Sequence, residues 1–437
     1  MPNPKPRTEP AGRHRRILAC GAALLMLAAL AGCREAPPGT TVVTFWAMGR
    51  EGELVSQILP GFEREHPDIR VDVQQLPWTA AHEKLLTAFA GDALPDVIQL
   101  GNTWIPEFAA LGALAPLDAR VAATPEFNRP DWFEGTWNTN VIDGRLLGIP
   151  WYVDTRLLFY RRDLLAAAGF TAPPRDWNEW RTQLAAVAAR ATDHRFAVLL
   201  PLNEFEPLLN LAIGPGRPLL KDDGTRGNFE NPGFRRAFSF YVGLFRDGYA
   251  PPMSGSAISN LYDEFARGTF VFFISGPWNI GELRQRLPAP LQSAWATAPL
   301  PGPDGPATAI AGGTSLVINR ASRHQDAAWE LIRYLSMPST QLRFYALSGD
   351  LPPRRSVWRE PPLAGDPQAH AFAEQLEHVV PAPQVPEWER IAEQLRIETE
   401  RVVRGGESID AALAGLDRGT DAILAKRRWL LAREARK

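Results

Sequence analysis

The amino-acid sequence predicts an α/β protein built as two lobes. Its 437 residues exceed what one hydrophobic core usually organises. From Thr41 onward, short β-rich runs alternate with amphipathic stretches at helical spacing, the rhythm of a parallel sheet with right-handed crossovers. Forty prolines interrupt it too often for a coiled coil or a simple bundle.

The elements follow in order. Thr41-Val-Val-Thr-Phe-Trp46 is a β-rich first strand. Glu51 to Glu65 places Leu54, Ile58, Leu59 and Phe62 on one helical face, and His66-Pro67-Asp68 stops it. Ile69 to Leu76 alternates as a second strand. A helix over Ala80–Ala90 ends near Gly91, before a third strand at Asp96–Leu100. Leu157–Tyr160 and Thr269–Ile274 read as buried strands, with a helix over Arg161–Ala168 after the first. Asp176 followed by Glu179 has the spacing of a capping box ahead of an alanine-rich helix. Leu316–Ile318 is a further strand, and His324–Met337 an amphipathic helix. The C-terminal part is helical over Ala369–Val380, Trp388–Arg404 and Ser408–Arg427, with a basic tail over 426–437.

The first 32 residues read as a secretory signal peptide. Lys5, Arg7, Arg13, Arg15 and Arg16 precede an apolar run from Ile17 to Leu30, which is short for a membrane span. The ending Leu30-Ala-Gly-Cys33 resembles a lipobox, so the expected mature chain starts at a lipidated Cys33, tethered to the bilayer through residues 33–40. Cys20 would be discarded and Cys33 consumed by lipid, which leaves no disulfide. Removing the segment's five basic residues and one acid leaves 42 and 48, a net charge of −6. A mildly acidic body without a basic stretch excludes a nucleic-acid partner.

Several short motifs then accumulate: Phe62-Glu-Arg-Glu-His-Pro67, Ala93-Leu-Pro-Asp-Val-Ile98, Gly148-Ile-Pro-Trp151 with Leu158-Phe-Tyr160, and Ser275-Gly-Pro-Trp278. Ala311-Gly-Gly-Thr-Ser315, Ala327-Ala-Trp-Glu-Leu-Ile332 and Leu351-Pro-Pro-Arg354 follow. Their order and spacing behind a lipobox resemble the sugar-type extracellular solute-binding proteins, the family of maltose- and trehalose-binding proteins, over about residues 41–425. The resemblance implies a two-lobe periplasmic-binding-protein fold with three hinge crossings, near 151–156, 298–311 and 351–355. The first lobe would be 41–152 plus 312–351, and the second 156–298 plus 356–425. Ligand would bind between lobes that close by hinge bending, for delivery to ABC permease subunits. No cofactor is expected, and the protein would be a monomer.

A sugar presents apolar C–H faces ringed by hydroxyls, so its site needs flat aromatic rings and short polar groups. Trp278, past a Gly-Pro turn, matches the family position whose ring stacks on sugar; the alternative is a core tryptophan. Tyr152 and Asp154 resemble the family's Tyr-x-Asp pair. Asp154 would accept from hydroxyls, unless it serves as a cap or a hinge ion pair. Asn102, Thr103 and Trp104 leave the third strand where relatives place polar contacts, often an acid that is missing here. Trp46, Met48 and Arg50 lie at the first strand's exit, with Trp46 either facing the cleft or in the core. Asn203, Glu204 and Glu206 leave another strand. Gly312, Gly313 and Thr314 would bare main-chain N–H groups to ligand, or form an ordinary hinge turn. Arg354 would bond a hydroxyl, though Arg355 leaves the register open. Trp388 is a candidate further wall. Trp177, Trp180, Trp329 and Trp429 read as helix packing.

The rival class is an exported sugar hydrolase using Asp154 with Glu204 or Glu206. Against it, the sequence lacks a nucleophile elbow and a His-Glu-x-x-His motif, and its seven histidines are scattered. A glycerol-phosphate ligand would want more cleft cations than Arg354 and Arg50. A scaffold lipoprotein would not need aromatics at a cleft mouth. The expectation is therefore a binding protein for a neutral sugar, with an α-glucoside disaccharide such as maltose or trehalose the best candidate.

Overall fold

The computed structural model describes residues 39–190, 195–214 and 216–434. The expected signal peptide, Cys33 and most of its tether lie outside the described residues. Nine strands carry the architecture: β1 (Thr41–Met48), β2 (Ile69–Leu76), β3 (Val97–Gly101), β4 (Ile149–Asp154), β5 (Leu157–Arg161), β6 (Phe196–Leu199), β7 (Phe270–Ser275), β8 (Trp295–Ala298) and β9 (Gly312–Ile318). They form a five-stranded sheet in the order β2-β1-β3-β9-β4 and a four-stranded sheet in the order β8-β5-β7-β6. The protein has two lobes, one around each sheet.

The chain passes between the sheets at 154–157 and again between β8 and β9. After β9 it runs through helices on the first sheet, then returns near Leu351, whose carbonyl accepts from the Val153 N–H at 2.9 Å. The remaining helices, including Pro367–Leu376 and Trp388–Val403, bury Phe372, Trp388, Ile391 and Leu395 in the second lobe's core. No helix among the described residues is long and apolar enough to cross a membrane.

Both sheets are mixed rather than parallel. β1 runs parallel to β2 and β3, but β9 is antiparallel to β3 and β4, and β7 is parallel to β6 yet antiparallel to β5. A return crossing forces this, because β9 enters the first sheet from the opposite end. The single helix expected over Glu51–Glu65 is two, Gly49–Val55 and Leu59–Glu65. Pro60 has no N–H to give and fits only a first turn, so the chain breaks before it.

Asp176 caps its helix as expected, accepting from the N–H groups of Asn178 and Glu179 at 2.8 and 2.9 Å. Glu179, however, returns to the Arg175 N–H instead of the cap residue's own. The expected helix over Ala369–Val380 stops at Leu376, and Val379–Val380 instead pairs with Ala309–Ile310. The helix expected to run to Arg427 ends at Ile423, and a new one, Ala425–Glu434, follows. Trp429 there is 57% exposed, not packed.

Candidate functional site

A cleft of about 840 Å³ opens between the lobes, and its walls are strand exits. The ends of β1, β3 and β4 and the start of β9 supply Arg50, Glu51, Asn102–Trp104, Tyr152, Asp154 and Gly312–Thr314. Opposite, the exits of β6 and β7 supply Phe205, Glu206, Pro277 and Trp278. Antiparallel pairing of β9 sets Gly312 against Asp154 and Thr314 against both Tyr152 and Gly101. Four chain segments thus converge at one edge of the first sheet.

Burial and charge shape this edge. Asp154 is drawn out of water, which raises its carboxyl above the ordinary range; Glu206 adds repulsion while Arg156 opposes both. The Arg156 guanidinium stands 3.9 Å from Asp154 and 3.6 Å from Glu206. It also lies over the Trp278 ring, 4.7 Å from the centroid. The six-membered ring of the same indole packs on Gly276, where a Cβ would come within 2.0 Å of it. Trp278 is therefore a fixed, 37% exposed wall of the cleft. Tyr152 is buried, its hydroxyl accepting from Gln99 at 3.0 Å.

Of the other expected residues, Asn102, Thr103, Trp104, Gly312, Gly313, Thr314 and Trp388 line the cleft, though several are already occupied. Asn102 is spent on structure: its amide donates to the Gly312 carbonyl at 3.1 Å and its oxygen accepts from Ser315 at 3.0 Å. The two glycines are required by strand packing. A Cβ on Gly312 would meet the Asp154 carbonyl at 2.0 Å, and one on Gly313, at φ +112°, the Tyr152 carbonyl at 2.3 Å.

Three expectations are corrected. Arg354 does not reach the cleft: it is 6% exposed, bonds Asp131 at 2.7 Å, and donates to the carbonyls of Ser336 and Glu126. Asn203 holds a surface turn, accepting from the Gly255 N–H. Glu204 is exposed and lies outside the cleft lining, which Glu206 occupies instead. Trp46, left open between cleft and core, packs against the first lobe's core, with the Lys84 ammonium 4.8 Å over its ring.

The structure adds residues that sequence reasoning passed over. Trp78 stands edge-on to Trp104 at 5.8 Å, both on the cleft wall, with Tyr262 also lining it. Glu51, Asp350, Glu282, Arg286 and Glu389 bring further charge. Arg50 reaches from the first lobe to Glu282 of the second at 3.7 Å. Arg156 and Asp350 sit at the expected crossings, a signal that was present; nothing local marks Glu51 or Trp78. Six acids and three arginines line the cleft. Glu51, Asp154, Asp350 and Glu389 each keep one buried carboxyl oxygen without a hydrogen-bond partner. Among the described residues, no group of His, Cys, Asp and Glu could hold a metal ion.

Two α/β lobes around an acceptor-rich, aromatic cleft define the class: a two-lobed receptor for a small solute. The sequence pattern of the bacterial extracellular solute-binding protein family matches residues 46–341, and the chain belongs to that family. It is 53% identical to the sugar-binding protein MalE of Xanthomonas citri, with a TM-score of 0.87 over 90% of this chain and 99% of that one. The GacH receptor of Streptomyces glaucescens, solved with acarbose, is 25% identical with a TM-score of 0.76 over 88% of this chain and 99% of that one. The diacetylchitobiose binding protein DasA of Streptomyces coelicolor is 26% identical over 85% of this chain and 87% of that relative.

Proposed function

We propose that the protein captures a sugar in the inter-lobe cleft and delivers it, chemically unchanged, to the permease of an ABC importer. The four buried, unpartnered carboxyl oxygens beside Trp78, Trp104 and Trp278 carry this reading. Acceptors crowded in one place call for a ligand rich in donors, and aromatic walls call for one with apolar faces. A hydroxylated ring offers both. The relatives' names, sugar-binding and diacetylchitobiose binding, support the same class. The paired acids Asp154 and Glu206 share Arg156, an arrangement suited to holding hydroxyls through charge-assisted bonds.

Within that class an α-glucoside of two or three units, such as maltose or trehalose, suits the cleft's volume. Division into lobes at 41–152 plus 312–351 and 156–298 plus 356–425 is supported by which strands share a sheet. A lipid anchor at Cys33 would hold the protein, as a monomer, at the periplasmic or outer surface beside its permease. A thermal-shift screen against maltose, trehalose and longer glucosides tests the ligand, since a solute bound only by the folded form raises the melting temperature. No shift with any sugar would overturn the reading.

A further inference from the structure

Asp350 is the most deeply placed of the acids that keep an unpartnered carboxyl oxygen at the cleft's first-lobe wall. It follows the Pro338–Ser348 helix, immediately before the third crossing, is 4% exposed, and lines the cleft. Its Oδ2 has no hydrogen-bond partner. The backbone N–H of Asp350 is already satisfied by the Ser348 hydroxyl at 3.0 Å. Glu51, on the Gly49–Val55 helix, is a second, half-buried acid of this wall and also keeps a buried oxygen unpartnered.

The cleft's cations make their ion pairs with other acids, and only Arg50 also acts on Asp350 and Glu51. Arg156 serves Asp154 and Glu206, Arg286 bonds Glu282 at 2.5 Å, and Arg50, with its side chain 57% exposed, turns to Glu282. The charged and titratable groups around Asp350 are Glu51 and Arg50 on one helix and Tyr152 and Asp154 on β4. Two of those four are carboxylic acids, one is a neutral phenol and one a guanidinium. The exposed Arg50 guanidinium offsets little of the repulsion between half-buried Glu51 and buried Asp350, so the two carboxyls cannot both hold charge cheaply and one keeps its proton.

We propose that Asp350 is a specificity-determining residue that stays protonated and donates its proton to an acceptor oxygen of the ligand, while Glu51 accepts from a neighbouring hydroxyl. The inference rests on the sugar-capture reading and sharpens it. A pyranoside has ring and glycosidic oxygens that can only accept, and the cleft's carboxylates offer them nothing unless one is an acid. Burial, with Glu51 as the chief repulsive neighbour, pushes the Asp350 carboxyl up to about 8. The proton is therefore in place at neutral pH and lost as pH rises through that value, so affinity holds below it and falls above it.

The test is calorimetric titration of the full protein with maltose, trehalose and maltotriose from pH 6 to 9.5. The expected result is constant affinity to about pH 7.5 and a loss of about tenfold by pH 9.5. Asp350→Asn, whose amide still donates, keeps affinity within about threefold and flattens the profile, whereas Asp350→Ala loses about tenfold at every pH. Glu51→Gln keeps the protein's fold question separate: removing its charge moves the midpoint of the fall to lower pH. Affinity that is flat or rises with pH in the unsubstituted protein, or an Asp350→Asn profile that still falls, would overturn this inference and leave sugar capture standing. No binding by any of the three sugars at any pH would overturn the capture reading itself.

Discussion

Arg354 and Asp131 show how one pair can hold a crossing without touching ligand. Arg354 is buried and Asp131 largely so, and the guanidinium also satisfies two carbonyls and lies over Trp132. Arg354→Ala leaves an uncompensated buried acid, and denaturant melts should show a loss of about 3 kcal/mol or more. By contrast, Trp278→Ala and Asp154→Ala should each weaken sugar binding by about 1.5 kcal/mol while hardly moving the melting temperature. Asp350→Asn should stabilise the free protein more at pH 8 than at pH 5. The unfolded aspartate ionises near its ordinary value and the folded one only near 8, so native stability drops across that interval and the amide does not share the drop. Trp278 was legible because it follows a strand and a Gly-Pro turn, and Asp154 because it ends a Tyr-x-Asp pattern at the first crossing. Arg354 and Asn203 were misread because their partners, Asp131 and Gly255, are distant in sequence and carry no local mark.

At the level of elements, strands and caps were legible where a local rule decides them. Asp176 caps its helix with two hydrogen bonds, and Asp176→Ala should cost about 1 kcal/mol in thermal or chemical melts. Strand direction was not legible, because alternation predicts a strand without saying which way it runs; β9 pairs antiparallel with both neighbours. Its glycines reveal the consequence. Gly312→Ala would drive a methyl into the Asp154 carbonyl, so β9 and β4 must part at the cleft edge. The expected outcome is lower stability together with weaker sugar binding, separable from Asp154→Ala by its shift in melting temperature. Gly276→Ala acts from the other lobe, displacing the Trp278 ring it now underlies.

For the whole molecule, the essential feature is a pair of lobes, each built on its own sheet, that meet at strand ends. Arg50 to Glu282 is one link between them, and Gln384 of the second lobe donating to the Asn138 carbonyl at 2.9 Å is another. Such an arrangement can close on a ligand by hinge bending, with both sheets intact. Saturating sugar at a hundred times Kd should add about 2.7 kcal/mol to stability. The most direct measurement follows the protein and the sugar together: calorimetric titration with maltose or trehalose, then mass analysis of the recovered carbohydrate. One sugar bound per chain at about micromolar Kd, returned intact, is the predicted result. Absence of binding across the glucosides, or recovery of cleaved sugar, would contradict capture without chemistry.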